Sequence, residues 1–414
     1  MTGQIRFLSF LMAILISLPS TLVRGQDQSY ALKVIDTLCS PYMAGRGYVE
    51  KGHVKAAQYI ASEMEHWGLE KVAESHMQPF VFQANTFPGE MNLSLNDTVV
   101  FIPGVDFIVD PSCPSIKGEF FISWGIQAEQ INRTKAFLVV DLTQEKNARK
   151  KIESTPIENP SYRGYIFLQE EKFTWSTAMQ QKAKPILFLK KERWPNQVKT
   201  LQLRIQSKLK KVKSNNVIGM IKGTQNPDKF FVISAHYDHL GQMGKSARFS
   251  GANDNASGIA YLLSLARHYA LNPPPFSVLF IAFGGEEMGL LGSQHFINHA
   301  LINLESINFV LNLDIMGTGE EGITVVNGTK HPEWFNRLNK INEKENYLPK
   351  IKARGEAANS DHYPFSLAGI PAFFIYTLGG NPAYHDIYDL PKNLNLSHFD
   401  AVFSLLVAFI TQFP

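Results

Sequence analysis

The sequence predicts an α/β fold with a mostly parallel central sheet, covered by helices on both faces, and with an inserted β-rich subdomain. From residue 215 onward, continuous apolar runs alternate with amphipathic helical segments, a pattern typical of a parallel sheet that is buried on both sides. Between residues 91 and 205 the sequence pattern changes to short β-type runs, which are separated by turns rich in Asn, Pro and charged residues. With 414 residues, 44% of them hydrophobic, the chain can bury a large core.

Residues 1–25 are predicted to be a secretory signal peptide. Arg6 supplies a basic start, residues 7–18 form an apolar run, and Val23 and Gly25 fit the small-residue positions before a cleavage site. The competing interpretation is a membrane anchor, but this run is shorter than the ~20 residues that a membrane span needs. We therefore expect an exported protein, periplasmic or secreted, without a stable membrane span once the signal is removed.

Residues 26–90 are predicted to be the N-terminal helical part of the catalytic domain. In the stretch VKAAQYIASEMEHWGL, Ile60, Met64 and Trp67 recur at helical spacing, and Gly68 is placed as a C-terminal stop.

The inserted subdomain is predicted over residues 91–205. Its β-type runs are VVFIPG, EFFISW, AFLVVDL, GYIFLQ and PILFLK. No catalytic constellation is recognisable among them, so we expect a structural or lid role.

The remaining catalytic domain is predicted over residues 212–414. The strands are expected at NVIGMIKG, KFFVISA, FSVLFIAF, NFVLNLD and PAFFIY. The clearest helix follows Asp254, where Ile259 and Leu262 share one face and Asn272, followed by prolines, ends it.

Acids and histidines recur just after these strands. They are His236 and Asp238 after KFFVISA, Asp254 in the following loop, Glu286 and Glu287 after FSVLFIAF, Asp314 at the end of NFVLNLD, and His385 after PAFFIY. Because the carboxyl ends of the strands form the ligand crevice of such sheets, these side chains should converge. Two imidazoles and several carboxylates without a thiolate suit Zn²⁺ or another borderline divalent metal.

Each of these residues has a simpler explanation when it is taken alone. Asp254 could cap the helix that follows it, and Glu286 with Glu287 could be two solvated acids at a helix start. However, apolar sequence flanks the two glutamates on both sides, and packed carboxylates are costly there unless they pair or bind a cation. The complete set, in order at strand ends, favours a metal site.

The motifs also resemble a known family. The ordered set HYDH, GANDNASG, GGEEMGLLGS, LNLDIMG, SDHYPF and YHDIYD is similar to the M28 family of co-catalytic zinc aminopeptidases. The stretch MAGRGYVEKGHVKAAQYIASEMEHWGL resembles the helical start of exported members. Residues 91–205 occupy the place where many relatives carry a protease-associated insert, although they match it poorly.

The resemblance implies two zinc ions per chain. Asp254 would bridge them, Glu287 and His385 would complete the ligands of one ion, and His236 and Asp314 would complete those of the other.

The resemblance also implies the catalytic roles. Glu286 would be the general acid/base, and Asp238 would hold His236 in its tautomer, as partners of metal-bound histidines commonly do. Members of this family often have a cis peptide bond after the bridging Asp, so the bond between Asp254 and Asn255 is expected to be cis. His239, His295 and His362 are treated as non-ligating.

The implied activity is hydrolysis of the N-terminal peptide bond of peptides with a free N-terminus, by a metal-bridging water and a glutamate base. Pocket contacts are expected from residues 360–365 and from residues 376–384. One alternative is a single-zinc glutaminyl-peptide cyclotransferase of the same fold. Another is a binding protein on an inactive peptidase scaffold, which should lack ligands, and none of the five is missing.

Composition gives little support to other functions. A net charge of +3 with well-mixed acids and bases gives no indication of nucleic-acid binding. There is no G-x-S-x-G motif, and neither Cys39 nor Cys113 lies in a recognisable thiol-hydrolase motif. In an oxidising compartment these two cysteines could pair.

Overall fold

The computed structural model describes residues 27–124, 133–144 and 162–413. The predicted signal peptide lies outside these residues and stays a prediction. Among the residues described, no helix is both long enough and apolar enough to cross a membrane.

The predicted strands and helices are present, but the predicted N-terminal helical part, residues 26–90, also contains a ten-residue strand, Met77–Thr86, which pairs with the main sheet. The strands, in chain order, are β1 (Met77–Thr86), β2 (Met91–Leu95), β3 (Val99–Phe101), β4 (Phe107–Val109), β5 (Ile116–Trp124), β6 (Ala136–Asp141), β7 (Gly164–Gln169), β8 (Ile186–Lys190), β9 (Thr200–Ile205), β10 (Lys208–Ile221), β11 (Asn226–His236), β12 (Gly241–Met243), β13 (Ala247–Phe249), β14 (Phe276–Phe283), β15 (Ile307–Leu313), β16 (Gly322–Val326), β17 (Ile351–Ala353) and β18 (Ala372–Leu378). The α-helices are α1 (Gln28–Leu38), α2 (Gly52–His66), α3 (Ser257–Leu271), α4 (Leu291–Asn298), α5 (Pro332–Glu345), α6 (His362–Leu367) and α7 (Phe399–Ile410).

The main sheet has eight strands in the order β1-β10-β14-β11-β15-β18-β16-β17. Its centre, from β14 through β11 and β15 to β18, is parallel. Antiparallel pairs flank this centre on both sides. The predicted α/β class is therefore confirmed, with the parallel strands concentrated in the middle of the sheet.

Helices cover the main sheet on both faces, as predicted. On one face, α1, α2, α3 and α7 contribute to the larger core, which includes Ile60, Leu262 and Phe409. On the other face, Phe296 of α4 and Phe365 of α6 pack with strand residues in a second cluster. All eight residues of β14 are buried, because this strand is covered on both sides.

The inserted subdomain is a second eight-stranded sheet, in the order β3-β2-β9-β5-β6-β7-β8-β4. All five β-type runs predicted in this part of the chain are strands. The chain leaves the main sheet at the end of β1 and returns at the start of β10, and the two strands pair from Met77 with Val217 to Thr86 with Lys208. The core of the insert also takes in Met243 and Phe249 of the β12–β13 hairpin, so the insert packs directly on the catalytic domain.

The two cysteines do not pair. Cys39 is buried in the larger core of the catalytic domain, and Cys113 is buried in the core of the insert. Burial disfavours the thiolate and raises the pKa of Cys39 to about 11 and that of Cys113 to about 12. Both are therefore inert structural thiols.

Candidate metal centre

The predicted site residues come together at the carboxyl ends of the parallel strands. There, a cavity of about 450 Å³ is lined by the six side chains His236, Asp254, Glu286, Glu287, Asp314 and His385. Asp238, the seventh predicted residue, does not line the cavity and is fully buried. Residues that are far apart in the sequence thus meet at the strand ends, as expected for such a sheet.

Asp254 lies at the middle of the cluster, between two pairs of side chains. Its Oδ1 is 3.3 Å from Nε2 of His236, and that nitrogen is also 3.3 Å from Oδ1 of Asp314. Its Oδ2 is 3.0 Å from Nε2 of His385, which in turn is 3.3 Å from Oε2 of Glu287. One carboxylate therefore faces two separate His–acid pairs, one with each oxygen.

The donor set fits divalent cations. Two separate groups each have ligand atoms within 4.8 Å of one another: His236 with Glu286 and Asp314, and His239 with Asp254 and Glu287. Among the described residues, Oδ1 of Asp314 is buried without a hydrogen-bond donor, an expensive state for a carboxylate oxygen unless a cation compensates it. Imidazole nitrogens with carboxylate oxygens are a typical zinc environment.

His239 is closer to the site than the sequence indicated. Its Nδ1 lies 2.7 Å from Oε1 of Glu287, while Oε2 of the same carboxylate faces His385. His239 therefore orients Glu287 from the side opposite His385. The sequence offered only an additional histidine in HYDH, with no signal for this contact.

Asp238 contacts His236 through its backbone rather than through its side chain. Nδ1 of His236 is 3.2 Å from the backbone carbonyl oxygen of Asp238, not from its carboxylate. The carboxylate instead accepts hydrogen bonds from the Tyr48 hydroxyl at 2.8 Å and from the backbone N–H of Glu286 at 3.1 Å. The chain after β11 thus places the carbonyl oxygen of Asp238 beside the imidazole and its side chain beside the backbone of Glu286. Asp238 therefore orients the loop of Glu286, and its backbone sets the His236 tautomer.

The pKa values of the two adjacent glutamates are shifted in opposite directions. Burial raises the pKa of Glu286 well above its usual value, and the nearby charge of Glu287 adds to this effect. Burial also opposes ionisation of Glu287, but the imidazole of His385 outweighs it and lowers the pKa of Glu287 to about 2. Glu287 is therefore suited to be an anionic ligand, whereas Glu286 can hold a proton.

Two residues without a predicted role fix the loop that carries Asp254. The carboxylate of Asp389 accepts hydrogen bonds from the backbone N–H groups of Asn253 at 2.8 Å and Asp254 at 3.0 Å. The peptide bond between Asp254 and Asn255 is cis, as the resemblance implied.

The second of these residues, Arg46, is completely buried and forms no ion pair with a carboxylate among the described residues. Its guanidinium donates to the backbone carbonyls of Tyr237 at 2.7 Å, Ser250 at 2.6 Å and Gly251 at 2.7 Å, with a longer contact of 3.3 Å to that of Asp254. The only sequence signal was an arginine within MAGRG.

The substrate side of the cavity matches the predicted pocket only in part. Tyr376 and Tyr384 line it, as expected, together with Phe374. Residues 360–365 do not line it, because the start of this segment is buried behind the cavity, where Ser360 donates to Oδ2 of Asp314. Arg354, just before this segment, is an additional lining residue.

Comparison with known proteins agrees with this geometry. Residues 216–410 match the family model described as Peptidase family M28. Aminopeptidase YwaD of Bacillus subtilis is 33% identical over 247 residues, which cover 55% of this chain and 51% of that protein. A probable zinc metalloprotease of Pyricularia oryzae is 42% identical over 118 residues, or 27% of this chain and 23% of that protein. The chain thus spans about half, or less, of the length of these curated relatives.

The fold is shared with solved structures along nearly the whole chain. A zinc aminopeptidase from Bacillus subtilis superposes with a TM-score of 0.67 at 21% identity, covering 92% of this chain and 94% of that one. An aminopeptidase from Aneurinibacillus sp. strain AM-1 superposes with a TM-score of 0.63 at 20% identity, covering 94% of both chains.

Proposed function

Because residues 216–410 match the model of peptidase family M28, we propose that the chain is a zinc-dependent aminopeptidase that hydrolyses the N-terminal peptide bond of peptides. The observation that carries the proposal is the position of Asp254, whose two carboxylate oxygens face two different His–acid pairs. A site for a single ion would not need a carboxylate that is shared in this way.

The proposed zinc ligands follow from these contacts. His236 and Asp314 would hold one ion, Glu287 and His385 the other, and Asp254 both. Zinc bound there would acidify a water molecule and polarise the scissile carbonyl.

Glu286 is the proposed general base. Its Oε2 is 3.9 Å from Nε2 of His236, so it lies beside the ligands, and its backbone N–H is held by Asp238. Its raised pKa suits a group that takes a proton from the attacking water and passes it to the leaving amine. Glu287 contacts His239 and His385 with its two carboxylate oxygens, so it is not available as the base.

The proposed substrate is a peptide with a free N-terminus, since the relative YwaD is an aminopeptidase. Four carboxylates, those of Asp254, Glu286, Glu287 and Asp314, line the cavity, and three of them are proposed zinc ligands. The free α-amine of the peptide would sit at the metal site, which would restrict cleavage to the chain end. Phe374, Tyr376 and Tyr384 would then contact the N-terminal side chain.

Chelator sensitivity tests this proposal. Zinc-loaded protein is expected to release nitroaniline from at least one member of a panel of amino-acid nitroanilides, and a chelator should abolish the release until zinc is restored. Heat-denatured protein with the same zinc content is the control. Activity that survives complete zinc removal would contradict the proposal, and conversion of a Gln-initiated peptide to pyroglutamate would favour the cyclotransferase.

A further inference from the structure

A short segment of the insert lies against the metal centre. Residues 172–177, which we call the bridging segment, follow β7 in the insert and have no regular secondary structure. Phe173 and Trp175 within it are buried, at 6% and 4% exposure. Trp175 is anchored in the insert by a 2.8 Å hydrogen bond from its Nε1 to the carbonyl oxygen of Val109, and its ring stacks on Phe249 with centroids 4.7 Å apart.

The bridging segment holds the loop that carries His385. Nδ1 of His385 is 3.0 Å from the carbonyl oxygen of Trp175, and the N–H of Trp175 donates to the carbonyl oxygen of His385 at 2.9 Å. A carbonyl oxygen only accepts, so Nδ1 carries the proton and Nε2 is directed at Asp254 and Glu287.

Lys172 also contacts the loop that carries His385. Its ammonium group donates to the carbonyl oxygen of Pro382 at 2.7 Å and forms a 3.2 Å ion pair with Asp386. The loop around His385 has no regular secondary structure of its own, so these contacts supply much of its anchoring.

The bridging segment also reaches the other ligand of the same pair. The hydroxyl of Thr177 donates a hydrogen bond to the backbone carbonyl oxygen of Glu287. Glu287 and His385, which share one side of Asp254, therefore both have outer contacts with the insert.

The opposite pair has contacts of a different origin. The ring of His236 is oriented by the carbonyl oxygen of Asp238, and Asp314 accepts from Ser360 at 2.8 Å. Asp238 and Ser360 both belong to the catalytic domain. The Glu287–His385 pair, which His239 also supports, thus has contacts from the insert in addition to those from the catalytic domain.

We propose that the bridging segment is a positioning element for the Glu287–His385 pair, so that the affinity of this zinc site depends on the insert while that of the His236–Asp314 site does not. This inference rests on the proposed two-zinc function. It gives the insert a role in building the centre, beyond the structural or lid role that the sequence favoured. Outer partners of metal ligands typically change metal affinity by about 10–100-fold.

Calorimetric titration of metal-free protein with Zn²⁺ tests the inference without an activity measurement. Wild-type protein should show two binding events. In the double variant Lys172→Met/Thr177→Val, one event should weaken by about 10-fold or more and the other should be unchanged. Lys182→Met is the matched control, because Lys182 pairs with Asp110 at 2.9 Å inside the insert and its loss should leave both events unchanged.

Ser360→Ala gives the reciprocal comparison, since it should weaken the event that the double variant leaves intact. If the double variant does not fold, as judged by near-ultraviolet circular dichroism, the nearly isosteric Thr177→Val alone provides the comparison. Equal weakening of both events, or no change in either, would overturn the inference. A single event in the wild type would instead overturn the two-zinc function on which it rests.

Discussion

Replacement of Glu286 by Gln is expected to lower kcat/KM by about 10²–10⁴-fold, the usual contribution of a positioned general base, while zinc binding is retained. Gln has nearly the same shape, and its backbone N–H can still donate a hydrogen bond to Asp238. Its side-chain amide, however, cannot take a proton from water. Steady-state kinetics combined with metal analysis of the same preparation measures both quantities.

Glu287→Gln is the matched control for this experiment, because it makes the same chemical change at the neighbouring position. Glu287 is a proposed ligand with a pKa lowered to about 2, so its neutralisation should lower the zinc content as well as the rate. If Glu286→Gln kept near-normal turnover, or lost zinc as Glu287→Gln does, the division of roles between the two glutamates would be wrong.

Replacement of Arg46 by Met is expected to destabilise the protein by at least about 3 kcal/mol. Met has a similar length but no donor, so the buried carbonyls of Tyr237, Ser250 and Gly251 would each lose a hydrogen bond, at a cost of about 1–3 kcal/mol apiece. Urea unfolding of metal-free protein, followed by circular dichroism, measures this change separately from any effect on zinc binding.

Arg204→Met is the control for Arg46→Met. Arg204 is partly exposed and pairs with Glu90 at 2.8 Å on the surface of the insert, so its loss should change the free energy of unfolding by no more than about 1 kcal/mol. Equal destabilisation by the two substitutions would show that the buried guanidinium has no special role in fixing the loop of Asp254.

Much of the fold was predictable because strands and helices have a local signature. The run FSVLFIAF is a strand over Phe276–Phe283, and the helix predicted after Asp254 spans Ser257–Leu271. Both follow from patterns of apolar residues within a short window. The antiparallel pairing of β1 with β10 was not predicted, since it joins segments on either side of the insert.

The proposed ligands were predictable for a related reason. Each follows a strand or precedes the clearest helix, so a rule about strand ends was enough to bring them together. That Asp238 contacts His236 through its backbone was not predicted, because the choice between backbone and side chain depends on the path of the chain after β11.

The supporting contacts had no local signature at all. The hydrogen bond of Arg46 to Tyr237 joins residues 191 positions apart, and that of His385 to Trp175 joins residues 210 positions apart. In both cases the acceptor is a backbone carbonyl, which every residue possesses. Neither composition nor spacing distinguishes the carbonyl that is used, so these contacts required the structure.

The central claim is that the centre removes residues from the free N-terminus of peptides by using zinc. Mass spectrometry of one peptide, supplied with a free and with an acetylated N-terminus and incubated with and without chelator, tests it most directly. We predict stepwise loss of N-terminal residues from the free peptide alone, and none with chelator present. Cleavage of the acetylated peptide, internal cleavage, or cleavage that persists after zinc removal would contradict the claim.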